Sequence, residues 1–254
     1  MTLASAQLAD NPTALWKLDE TSGTTAVDAT GNGHGGTYQR PAMVGATSWG
    51  GTPSPSFTHT STDWISVPAS SALSSHAGPT GLWSMDCMFL DGGVADYQMI
   101  LTVSDFPNGY EMWVERNPSG YLAAGACSKE GSGYVPNVAD VTLGNTVSTS
   151  TWHHLAITWS RSVPRLNIYV DGCLAAQSLT STANTSSFTN KIWRIGGRGD
   201  TTANRWSGSL SHMAIYPSEL SPERVREHAI AAGITPPCVA FPPPGGWSVG
   251  MIQW

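Results

Sequence analysis

Apolar positions in this chain fall in short runs separated by turn residues, the spacing of strands and not of long helices. Ala14-Leu-Trp-Lys-Leu18 is the first run and stops at Asp19-Glu-Thr-Ser-Gly23. Ile65-Ser-Val67 alternates and ends at Pro68, and Ser84 to Leu90 and Gln98 to Val103 are short apolar strands. Tyr110-Glu-Met-Trp-Val-Glu115 alternates with period two, turns at Asn117-Pro-Ser-Gly120 and returns through Tyr121 to Ala126, which predicts a hairpin. Trp152 to Trp159 and Arg165 to Val170 form the next pair. Asp171-Gly172 then predicts a type I′ turn into Cys173-Leu-Ala-Ala-Gln177. Lys191 to Ile195 and Ser209 to Tyr216 complete the strands. One helix is predicted, capped by Ser221, with Pro222 and Glu223 in its first turn, Val225, Ala229 and Ala232 as its apolar stripe and Gly233 as its stop.

Many strands and one late helix make an all-β sandwich of one domain over residues 1–233. Residues 234–254 differ in kind. Pro236-Pro-Cys238 and Pro242-Pro-Pro-Gly-Gly246 read as a stiff linker before an apolar end from Trp247 to Trp254. Composition agrees. The 254 residues hold 27 glycines and 17 prolines, enough punctuation for many turns, and 11 tryptophans within 40% hydrophobic residues, enough for a sizeable core. Twelve Lys+Arg against 18 Asp+Glu give a net charge of −6 with no basic run, which excludes an electrostatic nucleic-acid binder. No apolar stretch has the length of a membrane helix. The opening Met1 to Asp10 lacks both a basic start and a continuous apolar core, so it does not read as a secretory signal.

The four cysteines, Cys87, Cys127, Cys173 and Cys238, fit no paired zinc spacing. Cys87, inside an apolar run, reads as a buried free thiol. One or two disulfides among the cysteines fit a protein that works outside a cell.

Several blocks resemble a known family. Leu15-Trp-Lys-Leu-Asp-Glu-Thr-Ser-Gly23 followed by Val27-Asp-Ala-Thr-Gly-Asn-Gly-His-Gly-Gly-Thr37 is similar to the opening of laminin-G-like, concanavalin A-like lectin jelly-roll domains. Trp152-His-His-Leu-Ala-Ile-Thr-Trp159 with Leu166-Asn-Ile-Tyr-Val-Asp-Gly172 resembles the family's central hairpin. Trp206 to Tyr216, then Glu219 to Arg224, resembles its closing strand and helix. The resemblance implies a jelly-roll β-sandwich with one short C-terminal helix, and glycan or protein binding more often than catalysis. Leu8-Ala-Asp-Asn-Pro12 before Leu15-Trp16 resembles versions carried by minor tail proteins of actinobacterial phages.

Two constellations are candidate sites. Asp28 to Gly36 is a glycine-rich loop with a carboxylate and carbonyl oxygens of the kind Ca²⁺ prefers. The resemblance places a calcium site at Asp28 and Asn32, but Ser211 and His212 stand where the family commonly has an acid. The competing reading makes Asp28 a cap on the loop's own N–H groups. On the strand after Tyr110, period two puts Glu111, Trp113 and Glu115 on one face, opposite Met112 and Val114. Glucanase relatives use paired carboxylates there. Positions i and i+4 of a strand are about 13 Å apart at Cα, whereas glycosidases need about 5 Å or about 6.5–9.5 Å between carboxyl groups. Catalysis is therefore not expected. A tryptophan flanked by carboxylates still suits sugar binding, with its flat face against C–H groups and its neighbours accepting hydroxyl hydrogens. Arg194 joins this platform, and Arg198, Asp200 and Arg205 are candidate ligand contacts from the following loop.

His153 and His154 are adjacent on a strand, point to opposite faces and cannot share a metal, so both read as structural. No phosphate-binding loop is present, since Gly31 to Gly36 lacks the lysine and the following helix. The expected function is a non-enzymatic virion structural or adhesion protein of the phage minor tail or decoration type. It would assemble in the host cytoplasm, act extracellularly on a host-surface glycan and have the symmetry of a homo-oligomer within its reach. Trp247, Ile252 and Trp254 would dock the tail on other virion proteins. The alternatives are a carbohydrate-binding module of a cellular protein and a glycoside hydrolase.

Overall fold

A computed structural model describes residues 1–59, 62–75, 83–104, 110–126, 128–130, 133–135, 141–142, 147–160, 165–179, 191–198 and 204–238. Two antiparallel sheets face each other across one core. The first runs in the order Ala14–Trp16, Gly208–Tyr216, Trp83–Asp91, Trp152–Ser160, Arg165–Val170, Cys173–Leu179, with Ser56–Phe57 paired beside Gly208–Tyr216. The second runs Val141–Thr142, Leu122–Ala126, Tyr110–Arg116, Gln98–Ser104, Ile192–Ile195, Ile65–Val67, Gly36–Tyr38, Thr25–Ala26. Alternation does the work. Met112 and Val114, Leu101 and Val103, Trp193 and Ile195, and Ile65 and Val67 all turn inward against Met85, Cys87, Phe89, Leu155, Ile157 and Ile168 of the facing sheet. At one rim the buried ion pair Arg116 Nε–Asp91 Oδ2, 2.6 Å, ties the two sheets together.

The expected hairpins form. Asp171 and Gly172 both have positive φ, +52° and +76°, as a type I′ turn requires. The late helix, α3, spans Pro222–Ala231 with the Ser221 hydroxyl accepting from Arg224 N, and Gly233 follows at φ +80°.

The sequence reading predicts one helix, and the described residues hold three α-helices. α1 covers Leu3–Ala9 and α2 covers Ser71–Ser75. Thr2 and Ser5 close a reciprocal capping box on α1, and Leu-Ala-Ser-Ala-Gln-Leu-Ala holds no helix breaker. The first strand also stops at Trp16, two residues early, because Leu18 turns to φ +58°. Beyond α3 the chain turns back. Ile234 N donates to Ala229 O at 3.0 Å, and Cys238 forms a disulfide with Cys173, so residues 234–238 lie against the body of the domain. Cys87 is buried and free, as expected, whereas Cys127 and the tail residues Trp247, Ile252 and Trp254 lie outside the described residues.

Candidate functional site

The outer face of the second sheet is the candidate site, and the ladder register builds it. Trp113 pairs with Gly125 on one side and Thr102 on the other. Thr102 pairs with Arg194, Arg194 with Ser66, and Ser66 with Thr37. Paired residues of a sheet share a face, so one row crosses five neighbouring strands and part of a sixth with every member turned away from the core. Trp113, Arg194, Ser66 and Glu115 are half-buried, while their chain neighbours Met112, Val114, Trp193 and Ile65 are buried.

Gly125 explains how Trp113 sits. A Cβ at position 125 would come within 2.2 Å of Trp113 Cζ2 and 2.4 Å of Cη2, so the indole lies across the glycine of the next strand. Glycine inside a strand weakens it unless something needs the space, and here the indole fills it. The loop after Ile192–Ile195 folds onto the same face, where Thr102 Oγ1 donates to Gly197 O at 3.0 Å. Trp64, two residues before Ser66, carries the Arg205 guanidinium 4.1 Å from its ring centroid. Arg198 is half-buried at the edge of this loop, and Asp200 lies outside the described residues.

The structure therefore places Trp113, Glu115 and Arg194 on one face, sets the loop residue Arg205 over Trp64, and adds Thr102, Gly125 and Trp64. Glu111 is different. The register slips between Tyr110 and Met112, so Glu111 is the extra residue of a β-bulge. The Glu111 side chain lies outside what the structure describes. Of the added residues, Gly125 had a readable signal as a lone glycine in a strand. Thr102 and Trp64 had none, because their place on this face depends on register.

Asp28 takes the loop-capping role. Oδ1 accepts from Leu15 N, Thr30 N and Thr30 Oγ1 at 3.2, 3.0 and 2.7 Å, and Oδ2 accepts from His34 N at 3.0 Å. Burial pushes its pKa up, but the bonds from Thr30, His34 and Leu15 outweigh it and hold the carboxyl below its usual value. Asn32 donates its amide to Thr13 O at 3.0 Å and, with His34 and Asn11, lines an open groove of about 480 Å³. A calcium ion needs several free oxygen ligands. The two Asp28 oxygens already take four donors, and no group of three acidic, histidine or cysteine side chains suited to a metal exists among the described residues. The donor set at Asp28 and Asn32 does not fit Ca²⁺ as it stands.

The outer face of the first sheet is closed. Asp86, fully buried, accepts from Gln7 Nε2 of α1 at 3.0 Å, Tyr216 OH at 2.9 Å and His228 Nδ1 of α3 at 2.8 Å, with His154 Nε2 at 3.3 Å. Burial works against its charge, but the bonds from His154 and His228 win and hold the carboxyl far below the usual range. His154 is structural as expected, since it joins Asp86, whereas His153 turns to the opposite side, toward Asp171.

A β-sandwich of two facing antiparallel sheets, one roofed by helices, defines a lectin-like jelly-roll fold. Residues 60–226 match the model of the concanavalin A-like lectin/glucanases superfamily (Laminin_G_3), and the chain belongs to that family. Solved structures share the fold at low identity. The binding domain of Paraclostridial Mosquitocidal Protein 1 is 14% identical with a TM-score of 0.65, over 88% of this chain and 52% of that one. This chain thus spans about half of that toxin domain. Domain 4 of AbnA, a GH43 extracellular arabinanase from Geobacillus stearothermophilus solved with arabinotriose, is 15% identical with a TM-score of 0.58, over 86% of this chain and 98% of that one. Trypanosoma rangeli sialidase, solved with the inhibitor DANA, is 11% identical with a TM-score of 0.59, over 86% of this chain and 32% of that one. No curated protein matches the chain in sequence. No helix among the described residues is long and apolar enough to cross a membrane.

Proposed function

We propose that this protein is an adhesion module that binds a glycan, without hydrolysing it, on the outer face of its second sheet. The row Trp113–Thr102–Arg194 carries the proposal. An indole laid flat over Gly125 offers a sugar its apolar face, while Glu115 and Arg194 flank it with an acceptor and a donor, and Thr102 beneath anchors the covering loop. Aromatic stacking plus a few directed hydrogen bonds is the usual economy of a shallow sugar site. Hydrolysis is the weaker reading, because positions four apart on a strand stand about 13 Å apart at Cα, beyond the spacing of a glycosidase carboxyl pair.

The same reading extends to context. Resemblance of Leu8 to Pro12 to phage minor tail proteins supports a virion role, with Trp247, Ile252 and Trp254 as the segment that docks on neighbouring virion proteins. The Cys173–Cys238 disulfide supports action in an oxidising, extracellular setting. The test is a glycan array on the full chain, with and without EDTA, alongside Trp113→Ala. Binding that survives EDTA and falls at least about tenfold in the variant, a loss of about 1.4 kcal/mol, is expected. A variant that binds as the parent does would move the site elsewhere. Truncation after Cys238, which leaves the disulfide intact, is expected to keep sugar binding and to abolish assembly into the particle.

A further inference from the structure

At the rim of the sandwich three side chains make an arrangement that sugar binding does not use. Ser148 lies exposed in the loop before Trp152–Ser160, with its Oγ 2.7 Å from His153 Nε2. The other ring nitrogen, Nδ1, is 2.7 Å from Asp171 Oδ2. A carboxylate only accepts, so Nδ1 carries the hydrogen and Nε2 is left bare to accept the Ser148 O–H. Serine to histidine to acid, each within hydrogen-bond reach of the next, is the geometry that turns a hydroxyl into a nucleophile. It arises on unrelated folds in any chain order.

The supports are firm. Asp171 Oδ1 accepts the His154 N–H at 2.9 Å and the Asp171 N–H donates to His154 O at 2.8 Å, so the carboxylate is oriented by the strand that carries the histidine. The turn is clamped from behind, since Cys173 is bonded to Cys238 and α3 packs so closely that a Cβ on Gly172 would stand 2.9 Å from the Ala229 methyl. The His153 ring rests beside Phe89 at 5.5 Å between centroids, and its side chain is only 13% exposed. Among the described residues no acceptor takes the backbone N–H of Ser148 or Thr149. The N–H of the residue after the serine is a recurrent donor to an oxyanion.

We propose that Ser148, His153 and Asp171 form a base-activated nucleophilic site that takes acyl groups from carboxylic esters. Ser148 Oγ bonds the ester carbonyl carbon as its proton passes to His153 Nε2. The bond from that carbon to the alcohol oxygen breaks, and the alcohol leaves with the proton returned by His153. A water deprotonated by the same nitrogen then releases the carboxylic acid and restores the serine. Asp171 holds the imidazole in the tautomer these steps need.

A fluorophosphonate probe tests this on the full chain, read by intact mass and peptide mapping, with p-nitrophenyl acetate hydrolysis in parallel. One adduct on Ser148 with loss of fluoride is expected, none in Ser148→Ala, and labelling slower by about a hundredfold or more in His153→Gln. Asp171→Asn keeps an oxygen for the His154 N–H and tests the tautomer in a domain whose circular dichroism matches the parent. It is expected to label far more slowly. Absence of an adduct, spread of label over other serines, or parental labelling rates in the histidine and aspartate variants would each overturn the proposal.

Discussion

Both sheets turn a row of side chains away from the shared core, and the two rows are treated in opposite ways. On the first sheet α1 and α3 lie over the row. Leu15, Tyr216 and Leu220 pack together with Val225 of α3, and Arg224 of α3 holds Asp10 at the end of α1 with Nη2–Oδ2 at 2.8 Å. On the second sheet the row stays half-open, with Trp113 over Gly125 and Arg194 beyond Thr102. A buried charge is tolerated only when every lone pair has a donor, so the first face is committed to stability. The second keeps polar groups at the surface, where replacing one costs little stability and changes what the face can hold.

Removing the centre of the closed face is the largest blow to this contrast. Asp86→Ala leaves His154, His228, Gln7 and Tyr216 without their shared acceptor, and a loss of about 3–5 kcal/mol in chemical denaturation is expected. Next comes the staple beside it. The Cys173–Cys238 disulfide closes a separation of 65 residues, and replacing both cysteines by serine is expected to cost about 4 kcal/mol on chain-entropy grounds.

Titration sharpens the same comparison. For His228, burial pulls the pKa down, but the Asp86 bond and the charges of Asp86 and Asp10 leave it above 6.5. Its contribution is full below 6.5 and disappears as pH rises through the raised value. His212, on the closed side against Trp49, is pushed down to about 4, chiefly by burial. The unfolded chain then takes up a proton that the folded one refuses, so stability falls between pH 6.5 and about 4, by on the order of 3 kcal/mol. Denaturation midpoints against pH should peak near 6.5. His228→Gln should flatten the alkaline limb and His212→Gln the acid limb. A profile unchanged in both variants would deny the closed face its histidines.

Smaller effects belong to the open face. Gly125→Val pushes the indole off its strand, and about 1 kcal/mol of stability should go with most of the sugar affinity. Millimolar Ca²⁺ is expected to shift the melting temperature by less than about 1 °C, since Asp28 already serves the loop. A clear upward shift would restore the loop as a calcium site.

How much of this was legible in the chain depends on the range of the forces involved. Period-two alternation marked most long strands to within a residue or two, and Asp171-Gly172 and Ser221-Pro222 marked a turn and a helix start, because each is set by neighbours in sequence. α1 escaped because seven residues give too short a stripe to show periodicity, and its burial comes from Asp86, 79 residues from Gln7. Trp113 and Arg194 could be named as surface residues from alternation. Their alignment through Thr102 could not, since it needs the register of three strands, one of them bulged at Glu111.

By itself, then, the sequence determined the family, the alternation that fills the core and the residue types on each face. Local sterics and hydrophobic period act within a few residues and are written directly into the order of side chains. Tertiary structure alone decided which face would be roofed, that Cys173 would find Cys238 and that Ser148, His153 and Asp171 would meet at one rim. Those outcomes depend on ladder register and on chain closing over long separations, where a shift of one residue sends each side chain to the other side of the sheet.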